Sequence, residues 1–260
     1  MEAGAEVSAK RTPESVLQRI DGWADAVIEE LAGGLTNRTF LVTADSKRGV
    51  LKMDDEPRDP PFNRRDVEAR IQASANEATL APAVLYSDEQ CYLTQYAEGQ
   101  VWRPQHLQSS ENLDKLGRAL RRLHSLPLSG RTFNAPDAAR VYLGRIDDHS
   151  AARVEECVRI VDSMPSPMNL CLCHNDLVVG NIVDSGEPMF LDWEYACDND
   201  PFFDLATVVA HHAMDEWQVD SLLSAYFDGD WQRWRPQLER QMEVYSALLW
   251  LWQAARATGS

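Results

Sequence analysis

Short apolar runs alternate with polar residues over roughly the first 97 positions, and apolar residues follow helical spacing over most of the remainder. The short runs have strand character and are separated by polar or glycine-containing turns, which predicts five strands near 26–31, 38–43, 49–53, 82–86 and 91–96. One helix interrupts them between about 64 and 79, where apolar residues recur at spacings of four and three: Val67, Ile71, Ala75 and Ala78.

The strand pattern breaks at Ala97-Glu98-Gly99, and the chain then becomes helical. The clearest helix runs from near Ser110 to before Pro127, with leucines at spacings of three and four: Leu113, Leu116, Leu120 and Leu123. Further helices are predicted over 136–146, over 151–161, after Asp200-Pro201, and in the tail from 216 to 257. We expect no functional site on the first two of these.

Together the two patterns predict an α+β fold with two lobes. Residues 1–97 form the smaller lobe, an antiparallel β lobe with one helix, and residues 98–260 form the larger, mainly helical lobe. The break at 97–99 is the expected hinge between them.

Composition narrows the class of protein. At 260 residues and 44% apolar content, the chain can bury a substantial core. A formal net charge of −16 argues against nucleic-acid binding and against an anionic membrane surface, and weakly favours small cations as partners. Five cysteines without a C-x-x-C pair predict no disulfide framework. Because no apolar run resembles a signal peptide or a membrane span, we expect a cytoplasmic protein.

The most informative stretch follows the helix predicted over 151–161. His174-x-Asp176 precedes Asn181 by five residues, and an apolar strand then leads into the turn Asp184-Ser185-Gly186-Glu187-Pro188. Glycine supplies a positive φ in such a turn, and proline blocks continuation of the strand ladder. A second short strand doubles back, so we expect Asp192 to lie beside Asn181 at the open end of a hairpin.

Paired oxygen ligands next to a further carboxylate are what Mg²⁺-assisted phosphoryl transfer requires, because Mg²⁺ takes one or two side-chain oxygens and completes its octahedron with phosphates and water. In that arrangement Asp176 is the catalytic base, and Asn181 and Asp192 hold the metal. His174, placed with Asp176 in the catalytic set, is expected to fix the loop by hydrogen bonding rather than to donate a proton. The alternative is a buried β-hairpin with solvated polar ends.

The stretch departs from the protein-kinase pattern, since it reads His174-Asn175-Asp176 without the loop arginine and Asp192-Trp193-Glu194-Tyr195 without Phe-Gly. This variant resembles the aminoglycoside phosphotransferase and choline kinase family, whose bacterial members include choline, ethanolamine and thiamine kinases. The resemblance implies a protein-kinase-like fold and ATP- and Mg²⁺-dependent phosphorylation of a small-molecule hydroxyl. Only eleven residues separate Asp192 from Asp204, which leaves no room for a regulated activation loop.

The resemblance also implies a nucleotide site in the β lobe. Choline and thiamine kinases carry a similar Gly-Gly-x-Thr-Asn between their first two strands, matched here by Gly33, Gly34, Thr36 and Asn37. Small residues let backbone amides approach phosphate, although the segment alone also fits an ordinary hairpin turn. The backbone from Gln95 to Ala97 would face the adenine.

Lys52 lies in the middle of the third predicted strand. A lone lysine there is usually solvent-facing, but in the kinase arrangement it holds the α and β phosphates and pairs with an acid on the next helix. Glu68 flanks the apolar stripe of that helix, whereas Glu77 lies near its end. We therefore favour Glu68 as the partner of Lys52.

The tail holds five of the eight tryptophans. Trp250 and Trp252 are two residues apart and cannot line one cage on a helix, whereas Tyr245 and Trp252 share a face. That face belongs either to the core or to a cage around a cationic group, with Glu194 as a further substrate contact. The favoured acceptor is a small cationic alcohol of the choline, ethanolamine or thiamine type.

Alternatives are an aminoglycoside or sugar acceptor, or a catalytically inactive nucleotide-binding scaffold.

Four other polar residues receive structural interpretations. His124 closes a helix where a cation suits the dipole, and Asp204 lies in a helix first turn and, by the resemblance, braces the catalytic loop. The adjacent His211 and His212 point to different helix faces, which disfavours a metal site.

Overall fold

The computed structural model describes residues 11–31, 38–54, 64–147, 151–164, 167 and 169–257. Within these ranges, the N-terminal part contains two helices, α1 (Pro13–Leu17) and α2 (Arg65–Glu77), and a five-stranded antiparallel sheet. The sheet has the order β1-β2-β3-β5-β4, with β1 at Val27–Leu31, β2 at Arg38–Ala44, β3 at Lys47–Met53, β4 at Val84–Ser87 and β5 at Cys91–Gln95.

Alternation along the strands gives this sheet two different faces. On one face Phe40 pairs in register with Leu51, and both pack with Leu17 of α1 in a buried cluster. Because successive strand side chains point to opposite faces, Lys52 faces away from this cluster. Its side chain lies on the face that α2 covers, where Glu68 is buried.

The remainder of the chain is mainly helical, as the leucine spacing predicts. Its α-helices are α3 (Ser110–Leu123), α4 (Ala135–Leu143), α5 (Ala152–Asp162), α6 (Pro201–His211), α7 (Glu216–Phe227) and α8 (Arg235–Ala257). One apolar cluster joins α3, α6 and α7, and a second joins α4, α5 and α8. The first includes Leu116, Leu120 and Leu222, each with no exposed surface.

The polar residues singled out in the sequence lie next to the strands of two small sheets. The strands β6 (Gln100–Val101), β8 (Ile182–Asp184) and β9 (Pro188–Phe190) form one, and β7 (Cys171–Cys173) pairs with β10 (Cys197–Asn199) in the other. The predicted hairpin is therefore present, and Gly186 at its turn has a φ of +100°. The sequence pattern did not predict β6 or β10.

The α+β class and the succession of five strands followed by helices agree with the prediction. The helix predicted over 136–146 begins one residue earlier and ends at Leu143, and the strand predicted to start at Asn181 begins at Ile182. The boundary between lobes at residue 97 stays a prediction. Among the described residues, no helix is both long enough and apolar enough to span a membrane.

Gly117 allows α3 and α7 to pack closely. A Cβ at this position would lie 2.5 Å from the Leu222 carbonyl oxygen and 2.8 Å from the Ala225 Cβ. We predict that Gly117→Ala lowers the free energy of unfolding by about 1–3 kcal/mol, because overpacking outweighs the gain in helix propensity. Gly144→Ala is the matched control, since its Cβ would meet only atoms at 3.6 Å or beyond. Denaturant unfolding of both variants tests this, and equal stabilities would contradict it.

Candidate active site

Residues 174–181, which we call the catalytic loop, connect β7 to β8 and are held by the buried carboxylate of Asp204. Its Oδ2 accepts the backbone N–H of His174 at 2.8 Å, and its Oδ1 accepts that of Asn175 at 2.7 Å. His124 Nε2 lies 3.1 Å from Oδ2. Burial alone would raise the pKa of Asp204, but hydrogen bonds and the charge of His124 outweigh it, so the pKa is lowered. The ionised carboxylate therefore fixes the start of the loop.

Asn175 gives the loop its direction. Its φ of +64° is a left-handed conformation that asparagine tolerates better than most residues. Its side chain donates to the Tyr195 carbonyl at 3.0 Å and accepts from Asn199 Nδ2 at 2.8 Å. These bonds hold a turn that presents the next residue, Asp176, to a cavity.

Asp176 is surrounded by other acids. Asn181 Nδ2 donates to its backbone carbonyl at 2.9 Å and to its Oδ2 at 3.3 Å. Burial, followed by repulsion from Asp192 and Glu194, raises the pKa of Asp176 to about 8. Positive charge in the cavity would stabilise the ionised form of this carboxyl group relative to its neutral form.

Asp192 lies beside Asn181, as the hairpin predicts. The backbone N–H of Leu191 donates to the Asn181 carbonyl at 2.8 Å, which brings the next residue next to the loop. Asp192 has a φ of +65°, and its Oδ1 lies 2.7 Å from Lys52 Nζ. Burial would raise the pKa of Asp192, but Lys52 outweighs it and the pKa is lowered. Because Asn181 uses its amide hydrogens on Asp176, its oxygen and the Asp192 carboxylate form a hard donor pair suited to Mg²⁺.

Lys52 is shared between two acids. Its Nζ is 2.7 Å from Asp192 Oδ1 and 3.8 Å from Glu68 Oε1. Burial alone would lower the pKa of Lys52, but the charges of Asp192 and Glu68 outweigh it and the pKa is raised. Glu68 has no exposed surface, whereas the rival Glu77 is exposed. The structure thus places Glu68, and not Glu77, near Lys52.

The cavity in front of Asp176 has a volume of about 370 Å³. Three acids line it together with Lys52: Asp176, Asp192 and Glu194. Much of the remaining wall is aromatic, from Phe133, Tyr142, Tyr195, Phe203, Tyr245 and Trp252. We call this space the acceptor cavity. Aromatic faces combined with carboxylates suit a small organic cation better than an anion.

Residues 27–237 match the family model described as "Phosphotransferase enzyme family". This chain belongs to that family. Protein LicA of Haemophilus influenzae is 29% identical over 207 residues, which cover 75% of this chain and 61% of LicA, less than two thirds of its length. The thiamine kinase of Salmonella typhimurium is 28% identical over 200 residues, which cover 74% of this chain and 68% of that protein.

A solved structure of similar form is a choline/ethanolamine kinase family protein from Mesorhizobium loti. It aligns with a TM-score of 0.74 and 26% identity, covering 95% of this chain and 85% of that one. The family and the α+β, protein-kinase-like fold predicted from the sequence are both confirmed. The phosphotransferase class follows from the family.

The sequence-predicted nucleotide residues are only partly within the described structure. Gly33, Gly34, Thr36 and Asn37 lie outside the described residues. Gln95 is exposed, and its backbone N–H already donates to the Ala83 carbonyl at 2.8 Å. Ala97, half-buried, follows the end of β5. Their contact with adenine stays a prediction.

His174 is buried behind the loop and does not line the acceptor cavity. Its Nε2 donates to the Leu191 carbonyl at 2.8 Å, and its ring centroid lies 4.8 Å from that of Trp193. Burial lowers the pKa of His174 and keeps the imidazole neutral. The side chain therefore ties the catalytic loop to the hairpin, which is the loop-fixing role favoured from the sequence.

The sequence interpretation of the C-terminal aromatic residues left core and cage open. Tyr245 and Trp252 both line the acceptor cavity, whereas Trp250 lies outside it, with the Arg153 guanidinium 5.8 Å from its ring centroid. The Tyr245 hydroxyl is 2.7 Å from His211 Nδ1. One helical face of α8 therefore contributes to the cavity.

The expectation that the helix over 136–146 carries no site was wrong. Tyr142 of α4 lines the acceptor cavity, and its hydroxyl is hydrogen-bonded to that of Tyr195. Burial raises the pKa of Tyr142 to about 12, so it stays neutral. Phe133, Phe203 and His211 were missed as well. Helical spacing places Ala138 and Tyr142 on one face, but a cavity-lining face and a core face look alike in a sequence.

Proposed function

We propose that this chain is an ATP- and Mg²⁺-dependent kinase that transfers the γ-phosphoryl group to a hydroxyl of a small cationic alcohol. The observation that carries the proposal is that Lys52, Asp176 and Asp192 line one cavity whose remaining wall is largely aromatic. A carboxylate at the hydroxyl, oxygen ligands for a metal and a cation for phosphates are the parts that phosphoryl transfer needs.

The nucleotide would lie between the sheet and the catalytic loop. Lys52 turns to the phosphates, with Glu68 as its remaining partner, and the segment 33–37 contributes backbone amides. Asn181 and Asp192 hold Mg²⁺, which when bound neutralises charge developing on the phosphate oxygens. Because Asp192 is paired with Lys52, it would have to release Lys52 to hold a metal, and nucleotide and metal binding would then be coupled.

Asp176 receives the proton of the acceptor. As the substrate oxygen bonds to the γ-phosphorus, its proton passes to the Asp176 carboxylate and the bond to the β-phosphate oxygen breaks, releasing ADP. The pKa of about 8 describes the residue without ligands. Positive charge in the cavity favours the ionised form of Asp176. A cationic acceptor would therefore stabilise the form of Asp176 that can accept its proton.

The shape and charge of the acceptor cavity favour a small cationic alcohol over an oligosaccharide. Its volume of about 370 Å³ is near the lower end of ligand pockets, which range over roughly 300–1,000 Å³. Choline, ethanolamine and thiamine each combine a hydroxyl with a positive charge. The matches to a thiamine kinase and to a choline/ethanolamine kinase family protein support this class of acceptor.

An inactive nucleotide-binding scaffold is the second candidate, and an ADP-release screen separates the two. Choline, ethanolamine, thiamine, amino sugars and aminoglycosides serve as acceptors, with ATP and Mg²⁺ in excess. The kinase proposal expects acceptor-dependent ADP with a cationic alcohol. ATP binding without turnover on any acceptor would favour the scaffold.

Asp176→Asn is expected to retain nucleotide binding and to lower kcat by about 10² or more, because positioned base catalysis is lost. Steady-state turnover and an ATP titration measure the two effects separately. Asp137→Asn is the control, because Asp137 is an exposed partner of Arg140 on α4. Near-normal turnover of Asp176→Asn would remove Asp176 from its proposed role.

Asp192→Ala is expected to abolish the Mg²⁺ dependence of nucleotide binding, because the carboxylate ligand is lost. The measurement is calorimetric titration of ATP at increasing Mg²⁺ concentrations. A Mg²⁺ dependence identical to that of the unchanged protein would show that the metal is held elsewhere.

Trp252→Ala should raise the KM for a quaternary amine by about tenfold, while the KM for a neutral sugar alcohol changes little. A desolvated cation–π contact contributes up to about 2 kcal/mol, and tenfold corresponds to about 1.4 kcal/mol. Trp250→Ala is the matched control, because it removes the same side chain two residues away and outside the cavity. Equal effects of the two substitutions would argue against a cage.

A further inference from the structure

Arg65 lies on α2, three residues before Glu68, and has no exposed surface. Its guanidinium forms a fork on Asp54 at the end of β3, with Nε to Oδ2 at 2.7 Å and Nη2 to Oδ1 at 2.9 Å. The third nitrogen, Nη1, donates to Glu68 Oε2. One buried cation therefore joins the end of a strand to the acid that faces Lys52.

Burying such a charged cluster in a protein core has a cost in free energy. Removing charges from water carries a desolvation penalty that their mutual attraction often fails to recover, and well-packed apolar side chains are frequently as stable. The pKa of Arg65 is nevertheless raised, because the charges of Glu68 and Asp54 outweigh burial. Because charged groups are seldom buried for stability alone, the cluster of Arg65, Asp54 and Glu68 points to a further task.

The task is visible in how Glu68 is held. Arg65 bonds to its Oε2, and the Tyr92 hydroxyl donates to its Oε1 at 2.6 Å. Lys52, by contrast, is 3.8 Å from Glu68 and only 2.7 Å from Asp192. The position of Glu68 thus depends on Arg65 and Tyr92, while Lys52 is occupied elsewhere.

We propose that Arg65 is a positioning residue for the nucleotide: it keeps the Glu68 carboxylate fixed so that Lys52 can leave Asp192 for the phosphates. This inference rests on the proposed kinase function. If Asp192 held a metal, the charge of Lys52 would need another partner already in place, and Arg65 keeps Glu68 in position for that role. Because Glu68 is also bonded to Arg65, its electrostatic attraction for Lys52 is weaker. The Lys52 ammonium is therefore able to move.

The test compares ATP affinity in Arg65→Met, Arg65→Lys and the control Arg70→Met by calorimetry with saturating Mg²⁺. Arg70 lies on the same helix but is exposed. We expect Arg65→Met to weaken ATP binding about tenfold or more, the effect of losing one charge-assisted hydrogen bond. Arg65→Lys should fall between, because an ammonium cannot form the fork, and Arg70→Met should bind normally. The KM for the acceptor should stay unchanged in all three.

A double-mutant cycle with Glu68→Gln separates positioning from general destabilisation. If Arg65 acts through Glu68, adding Arg65→Met to Glu68→Gln should change ATP affinity by less than about twofold. A purely structural role would instead lower Tm while leaving ATP affinity unchanged in the folded protein. If the separate losses of ATP affinity caused by Arg65→Met and Glu68→Gln multiply in the double mutant, the inference is also overturned.

The outcomes for the unchanged protein distinguish the inference from the proposed function. If it fails to bind ATP with Mg²⁺, both are overturned. If it binds and turns over while folded Arg65→Met binds ATP equally well, only the positioning role is overturned. Should Arg65→Met not fold, Asp54→Asn releases the fork on the other side, and its ATP affinity in the same cycle decides the question.

Discussion

The site depends on one buried carboxylate that accepts hydrogen bonds from two consecutive backbone amides. Asp204 binds the N–H groups of His174 and Asn175, and these bonds hold a left-handed residue whose conformation costs free energy without such support. Because the ionised acceptor strengthens both bonds, the loop has a defined direction before any ligand arrives. The orientation of Asp176 follows from that direction.

The second constraint is electrostatic. Asp176, Asp192 and Glu194 line one cavity, and Lys52 is the cation placed among them. Burial, followed by repulsion from Asp192 and Glu194, raises the pKa of Asp176. Lys52 relieves part of this repulsion by bonding to Asp192. In the proposed kinase, a metal, a charged acceptor and a nucleotide would together redistribute the same charges.

Local periodicity predicted the parts of the site that lie close together in sequence. The turn at Gly186 implied that Asp192 returns to Asn181. The stripe on α2 allowed Glu68 to point towards the sheet, and the position of Glu77 near the helix end favoured Glu68. Contacts between segments far apart in the sequence have no comparable local pattern. The pairing of β6 with β8 and the approach of Tyr142 to Tyr195 bring together segments far apart in the chain, which no local spacing specifies.

Helix α6 connects the two halves of the site. Asp204 in its first turn holds the start of the catalytic loop, and His212 just after its end accepts the Val179 backbone N–H at 3.2 Å. Burial lowers the pKa of His212 to about 4, so Nε2 remains an acceptor. The adjacent His211 bonds to Tyr245 in the acceptor cavity. Because one helix contacts the catalytic loop at two places and also the cavity wall, a shift of α6 would move the loop that carries Asp176 together with that wall.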